Sequence, residues 1–165
     1  MTEAVNSEYE GSSEGAVRHW EIPYARLEDT SPTPTNPAAV LAVASDENQV
    51  CGTVLSIDAG DSVAVIDFTC GMVYRQTVRN VTTYGGAVET VWAAMDIGYE
   101  VYYDRSATMP AGTYLSLAAA DNTAAANPKF GHIVPLTVAD MALYPKGGIT
   151  ASTQTCGVMQ RGAGS

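Results

Sequence analysis

The chain has 165 residues, 46% of them hydrophobic, so a packed core is within reach and wholesale disorder is excluded. Eighteen acids against eight bases give a formal net charge of −10, and the cations are scattered; the clustered basic footprint of a nucleic-acid or anionic-lipid binder is excluded. Charged residues make up only 16%, below the roughly 25% of ordinary soluble domains, and Ala, Thr, Val, Gly and Ser take their place.

Residues 1–16, MTEAVNSEYEGSSEGA, hold four glutamates and no hydrophobic period, so this segment is expected to be disordered in isolation. It lacks the apolar core of a secretory signal. The longest apolar run, AAVLAVA at 38–44, is far short of a bilayer span. The expectation is a chain made and kept in a cytosol, with no membrane partner. RHWEIPYARLEDT follows, with Trp20, Ile22 and Tyr24 alternating on one side of a short strand that Pro23 restricts to a sheet edge. SPTPTNP at 31–37 is a turn-rich linker. Residues 1–37 therefore read as an extended arm and linker, and residues 38–165 as the body.

From residue 38 the pattern is strand after strand: AAVLAVAS, then VCGTVLSID, then a tight turn at Ala59-Gly60-Asp61, then SVAVIDFTCGMVYRQTV. Cys70-Gly71 is expected to mark a bend or bulge within a long strand pair. In AVETVWAAMD the spacing of Val88, Val91, Trp92 and Met95 slightly favours a short helix over a strand. IGYEVYYD then alternates strictly. Ile97, Tyr99, Val101 and Tyr103 fall on one face, the inward one, while Gly98, Glu100, Tyr102 and Asp104 fall on the other. GTYLSLA returns with Leu115 and Leu117 on one face, and ADNTAAANPK is expected to be an exposed, mobile loop. FGHIVPLTVA is a further strand in which Gly131 permits close backbone approach, and a last strand is expected near 149–159. Short strands separated by turns every eight to twelve residues indicate an all-β fold, a small barrel-like body with at most one short helix.

The residues that could carry chemistry are few. Cys51, Cys70 and Cys156 are each followed by glycine, without Cys-x-x-Cys or Cys-His spacing, and read as small buried residues beside a backbone bend. His132 suits an exposed or rim position. No nucleophile elbow or phosphate-cradling loop is present in the sequence. IDAGDS holds two of the acids a calcium loop needs but not the remainder, so Asp58 and Asp61 read as solvated turn residues. Catalytic residues, cofactors and metals are not expected. The tyrosines are assigned to core or interface, Tyr102 to an interface.

The order AGDSVAVIDFTCGMV at 59–73, then IGYEVYYDRSATMPAGTYLSLAAADNTAAANPKFGHIV at 97–134, resembles the head decoration, or capsid cement, proteins of tailed bacteriophages. The resemblance covers residues 50–134, about half the chain, and is carried by Gly60, Asp61, Gly71, Gly98, Val101, Tyr102, Tyr103, Asp104 and Gly131. It departs from the family in placing Tyr99 between Gly98 and Glu100, and in its long N-terminal arm and C-terminal extension. It implies a barrel- or tulip-like body in a non-enzymatic virion protein, commonly a homotrimer and made in the bacterial host cytoplasm. Such a protein binds the major capsid protein on the outer surface of the expanded head and cements neighbouring capsomers against DNA pressure. On that reading the arm docks onto a capsid sheet edge through Trp20, Ile22 and Tyr24. Two other readings are a tail-tube or fibre-associated β domain and a carbohydrate-binding module.

Overall fold

The computed structural model describes residues 19–27, 38–45, 48–85, 88–91, 97–106, 114–134 and 153–162. Eleven strands are found among them. They are β1 (His19–Pro23), β2 (Ala38–Ser45), β3 (Asn48–Asp58), β4 (Val63–Asp67), β5 (Val73–Arg79), β6 (Thr83–Gly85), β7 (Val88–Val91), β8 (Glu100–Tyr103), β9 (Leu115–Ser116), β10 (Lys129–Val134) and β11 (Thr153–Gln160). A single 3-10 turn at Tyr24–Arg26 is the helical element among the described residues. Strands β10, β11, β5, β9 and β8 close into a five-stranded barrel; β1, β4, β3 and β2 form a four-stranded sheet, and β6 pairs with β7. The all-β barrel expected from the spacing of strands and turns is the fold of the protein.

Two cores follow from the alternation. One fills the barrel with Val78, Val101, Tyr103, Leu115, Leu117, Phe130, Ile133, Cys156 and Val158, and Cys51 of β3 joins it from the sheet. The other lies on the opposite face of the sheet: Val54, Ala64, Ile66 and Phe68 pack with Leu27, and Ile22 and Tyr24 lean on them. β3 therefore faces the barrel through Cys51 and Thr53 and the second core through Val50 and Val54, as a strand with period two must when both faces are covered.

Several local expectations are corrected. Val88–Val91 is a strand, hairpinned with Thr83–Gly85, because Val88, Thr90 and Val91 are β-branched and gain a partner strand; Trp92 and Met95 lie outside the described residues. The expected bend at Cys70-Gly71 is a turn that carries the chain out of the sheet and into the barrel, so β4 and β5 are not a pair. The alternation claimed for 97–104 holds only from Glu100. Gly98 adopts φ +88, a left-handed backbone open to glycine, and the chain turns there, leaving Ile97 and Tyr99 on the surface instead of inside. Asp104, expected to face outward, is buried.

The 120–129 loop is exposed over residues 123–126, as expected, and is held by its own hydrogen bonds. Asp121 Oδ1 accepts from the amides of Thr123 and Ala125, and buried Asn127 donates from Nδ2 to Ala118 O. Cys51 and Cys156 are buried within strands, and Cys70 is exposed in its turn. The close approach expected at Gly131 is present: a Cβ there would lie 2.0 Å from the carbonyl oxygen of Met159.

Candidate interaction surface

Two aspartates, Asp67 and Asp104, are each bound into a buried polar knot. In the first, fully buried Asp67 accepts the amide of Thr69 on Oδ1 at 2.8 Å and the phenol of Tyr74 on Oδ2 at 2.5 Å. Burial first, then the bond to and charge of Asp67, hold the Tyr74 phenol far above its usual range. His19 Nε2 stands 3.8 Å from Asp67 Oδ1, too long for a hydrogen bond. Beside this knot, Gln160 of β11 donates from Nε2 to the carbonyls of Asp67 and Thr69, both at 3.0 Å, and accepts from Thr53 Oγ1 at 2.8 Å. Gln76 Nε2 reaches Thr53 Oγ1 at 3.3 Å. The group joins β3 and β4 of the sheet to β5 and β11 of the barrel.

In the second knot, Asp104 accepts from the amide of Ser106, the phenol of Tyr84 at 2.6 Å and the hydroxyl of Ser116 at 2.5 Å. Tyr84 is pushed up to about 12, by burial first and then by its bond to Asp104. The knot ties the β6–β7 hairpin to β8 and β9. Both carboxylates are spent on backbone and side-chain donors that fix strand ends, which is structural chemistry.

What remains for a partner is surface. Among the described residues, the exposed large apolar ones are Trp20 (40%), Met72 (39%), Ile97 (45%), Tyr99 (42%) and Met159 (37%). Four of them fall in a band that winds around the barrel beside β5, β11, β10 and β8. Met159 pairs with His132 on one side and Val73 on the other, Gln160 N bonds Met72 O, and Ile133 N bonds Tyr99 O. A polar group borders the band. Glu100 Oε1 accepts from Lys129 Nζ at 2.8 Å and Glu100 Oε2 from Tyr102 OH at 2.8 Å, while His132 Nε2 lies 4.0 Å away. Lys129 and then Tyr102 hold the Glu100 carboxyl below its ordinary range.

Comparison with family models, with curated proteins and with solved structures finds no match to this chain.

The sequence-selected residues do not converge on one site. Gly60 and Asp61 form the β3–β4 turn, where their amides are held by Asp58 Oδ1. Gly71 is the turn into the barrel, with φ +82, and Gly131 is the close contact between β10 and β11. Val101 and Tyr103 are core, Tyr102 is on the outer wall, and Asp104 is a buried knot. Trp20, Ile22 and Tyr24 share a side as expected, but β1 pairs with β4 of its own chain. Trp20 lies over Phe68 at 4.9 Å between ring centroids, and Ile22 and Tyr24 pack on the second core. β1 is the outer strand of its sheet: one edge pairs with β4, and the other has no partner strand among the described residues.

The residues missed were Asp67, Tyr74, Tyr84 and Gln160. A signal for the aspartates was available: among the described residues Asp-x-Ser/Thr occurs at 67–69, 104–106 and 121–123, and each Oδ1 accepts the amide two residues on.

Proposed function

We propose that this protein is a structural binding module of a tailed-phage head: a cement that attaches to the outer surface of the expanded capsid and bridges neighbouring capsomers. The observation that carries the reading is that the residues resembling the decoration family, 50–134, run through the β3–β4 sheet and the barrel. The body those proteins are expected to have is a small barrel of this kind.

The use of side chains supports it. Buried carboxylates and tyrosines brace one β structure against another, while Met72, Ile97, Tyr99 and Met159 are presented to solvent. A cement works by engaging several subunits at once, so each contact can be modest provided the body does not deform between them. The expanded shell's own major capsid protein is the partner, and a homotrimer is the form in which three contacts are made together.

Because the exposed apolar side chains Met72, Ile97, Tyr99 and Met159 lie on the barrel, the barrel is the surface assigned to contact. The test is co-sedimentation of purified protein with expanded shells that lack it. Saturable binding that raises the shells' heat resistance is expected; failure to co-sediment overturns the reading.

A further inference from the structure

The four-stranded sheet leaves one edge of β1 unpaired among the described residues. The register fixes which backbone groups lie on that edge. Tyr24 N donates to Ser62 O at 3.0 Å, and along β1 Pro23 stands opposite Val63, Ile22 opposite Ala64, Glu21 opposite Val65, Trp20 opposite Ile66 and His19 opposite Asp67. Hydrogen-bonded and non-hydrogen-bonded pairs alternate along an antiparallel ladder. Ile22 and Trp20 therefore bond to β4, and the amides and carbonyls of His19 and Glu21 point away from it. Pro23 belongs to the outward set, where its missing amide breaks no bond to β4. The open edge thus offers the N–H groups of His19 and Glu21 as donors and the carbonyls of His19, Glu21 and Pro23 as acceptors.

An unpaired edge is a template for a further strand, whose main-chain bonds supply affinity while its side chains set specificity. Trp20 is 40% exposed although its ring lies over Phe68, so part of a large aromatic stays uncovered beside the edge. His19 and Glu21 are exposed on the opposite face of the strand. When two copies of β1 pair antiparallel about a twofold axis at Trp20, His19 of each copy stands opposite Glu21 of the other. That register uses both donors of both copies and sets an imidazole against a carboxylate across the strands. It also sets Trp20 against Trp20 in a non-hydrogen-bonded pair, the closer of the two spacings. An axis at His19 or at Glu21 opposes like side chains, and an axis at Ile22 carries His19 past the strand to the turn at Tyr24–Arg26.

We infer that β1 pairs edge to edge with β1 of a second copy of this chain, about a twofold axis at Trp20, joining the two four-stranded sheets into one continuous sheet. The contact is made by the sheet and leaves the exposed apolar residues of the barrel to the capsid, so it goes beyond the function proposed above and does not rest on it. An isologous contact joins copies in pairs. In a homotrimer it therefore links one trimer to the next and does not build the trimer itself.

Two measurements on the full chain test this without capsids. Disulfide trapping reports the register: Cys70, the exposed cysteine, is changed to Ser, Cys51 and Cys156 are buried, and Trp20→Cys is compared with Glu21→Cys under copper–phenanthroline oxidation. Residue 20 then meets its own copy at a Cα separation of about 4.5 Å, within disulfide reach, whereas residue 21 meets its copy diagonally at about 7–8 Å, beyond that reach. Trp20→Cys is expected to form the cross-linked dimer at least about tenfold faster than Glu21→Cys. Sedimentation equilibrium reports the mass. Glu21→Pro removes an outward donor without breaking a bond to β4, so at high concentration the parent is expected to have twice the mass of this variant. Circular dichroism melts confirm that each variant is folded, and Glu21→Pro keeps Trp20 on Phe68, so the mass comparison stands even where the loss of that packing unfolds Trp20→Cys. Equal cross-linking of the two cysteine variants, or equal mass of the parent and Glu21→Pro at every concentration, overturns the inference.

Discussion

Gln160→Leu removes the junction between sheet and barrel while keeping side-chain volume nearly constant. Gln160 is 1% exposed and makes three hydrogen bonds, to Thr53, to the Asp67 carbonyl and to the Thr69 carbonyl. A buried neutral hydrogen bond contributes about 1 kcal/mol net, and an acceptor left unsatisfied in the interior costs about 1–3 kcal/mol. Three lost bonds, partly offset by burying leucine, give an expected destabilisation of roughly 3–4 kcal/mol, a large part of the 5–15 kcal/mol that stabilises a typical domain. The assay is guanidinium unfolding followed by circular dichroism and by tryptophan fluorescence, with Thr77→Val as the control. Thr77 pairs with Thr155 at 3.3 Å on the exposed wall, and its loss should change stability by less than about 0.5 kcal/mol. A Gln160→Leu protein within about 1 kcal/mol of the parent would refute the claim that this residue couples the two β units.

Three further outcomes follow from the same geometry. Tyr74→Phe should cost roughly 1.5–3 kcal/mol, since it strips a donor from the fully buried Asp67 carboxylate, whereas Tyr102→Phe, on a solvated carboxylate, should leave the guanidinium midpoint nearly unchanged. Tyr84 titrates at about 12 in the fold and near 10 when unfolded, so its stabilising contribution is intact below pH 10 and is lost as pH rises towards 12. The fall in urea midpoint between pH 9 and 11 should accordingly be shallower in Tyr84→Phe than in the parent. Gly131→Ala should destabilise by about 3 kcal/mol or more or prevent folding, because the added methyl meets backbone at 2.0 Å and cannot be relieved by a rotamer change; thermal melts decide this.

How much of this was legible in the sequence depended on whether the information was local. Strict alternation placed Val101 and Tyr103 in the core, and Pro23 placed β1 at an edge, because period two and a missing amide are properties of the chain itself. The same rule failed at Ile97 and Tyr99, where Gly98 resets the backbone before the strand begins. It failed again at Val88–Val91, where a hairpin partner outweighs a helical spacing. The polar knots were invisible to periodicity. Asp67 meets Tyr74 across a turn, and Gln160 meets Thr53 across 107 residues, so only the fold brings them together. The docking role expected of Trp20, Ile22 and Tyr24 assumed a strand free on both edges, whereas β1 pairs with β4 and keeps one edge unpaired among the described residues.

In the proposed role this β body acts by the surfaces it joins. The most direct measurement of that role is the stability of expanded phage shells to heat with and without added protein, alongside binding to the same shells by co-sedimentation. Saturable attachment and a higher disruption temperature are expected, both reduced when Met159 and Tyr99, exposed on the barrel, are changed to Asp. Shells that neither retain the protein nor gain heat resistance would contradict it.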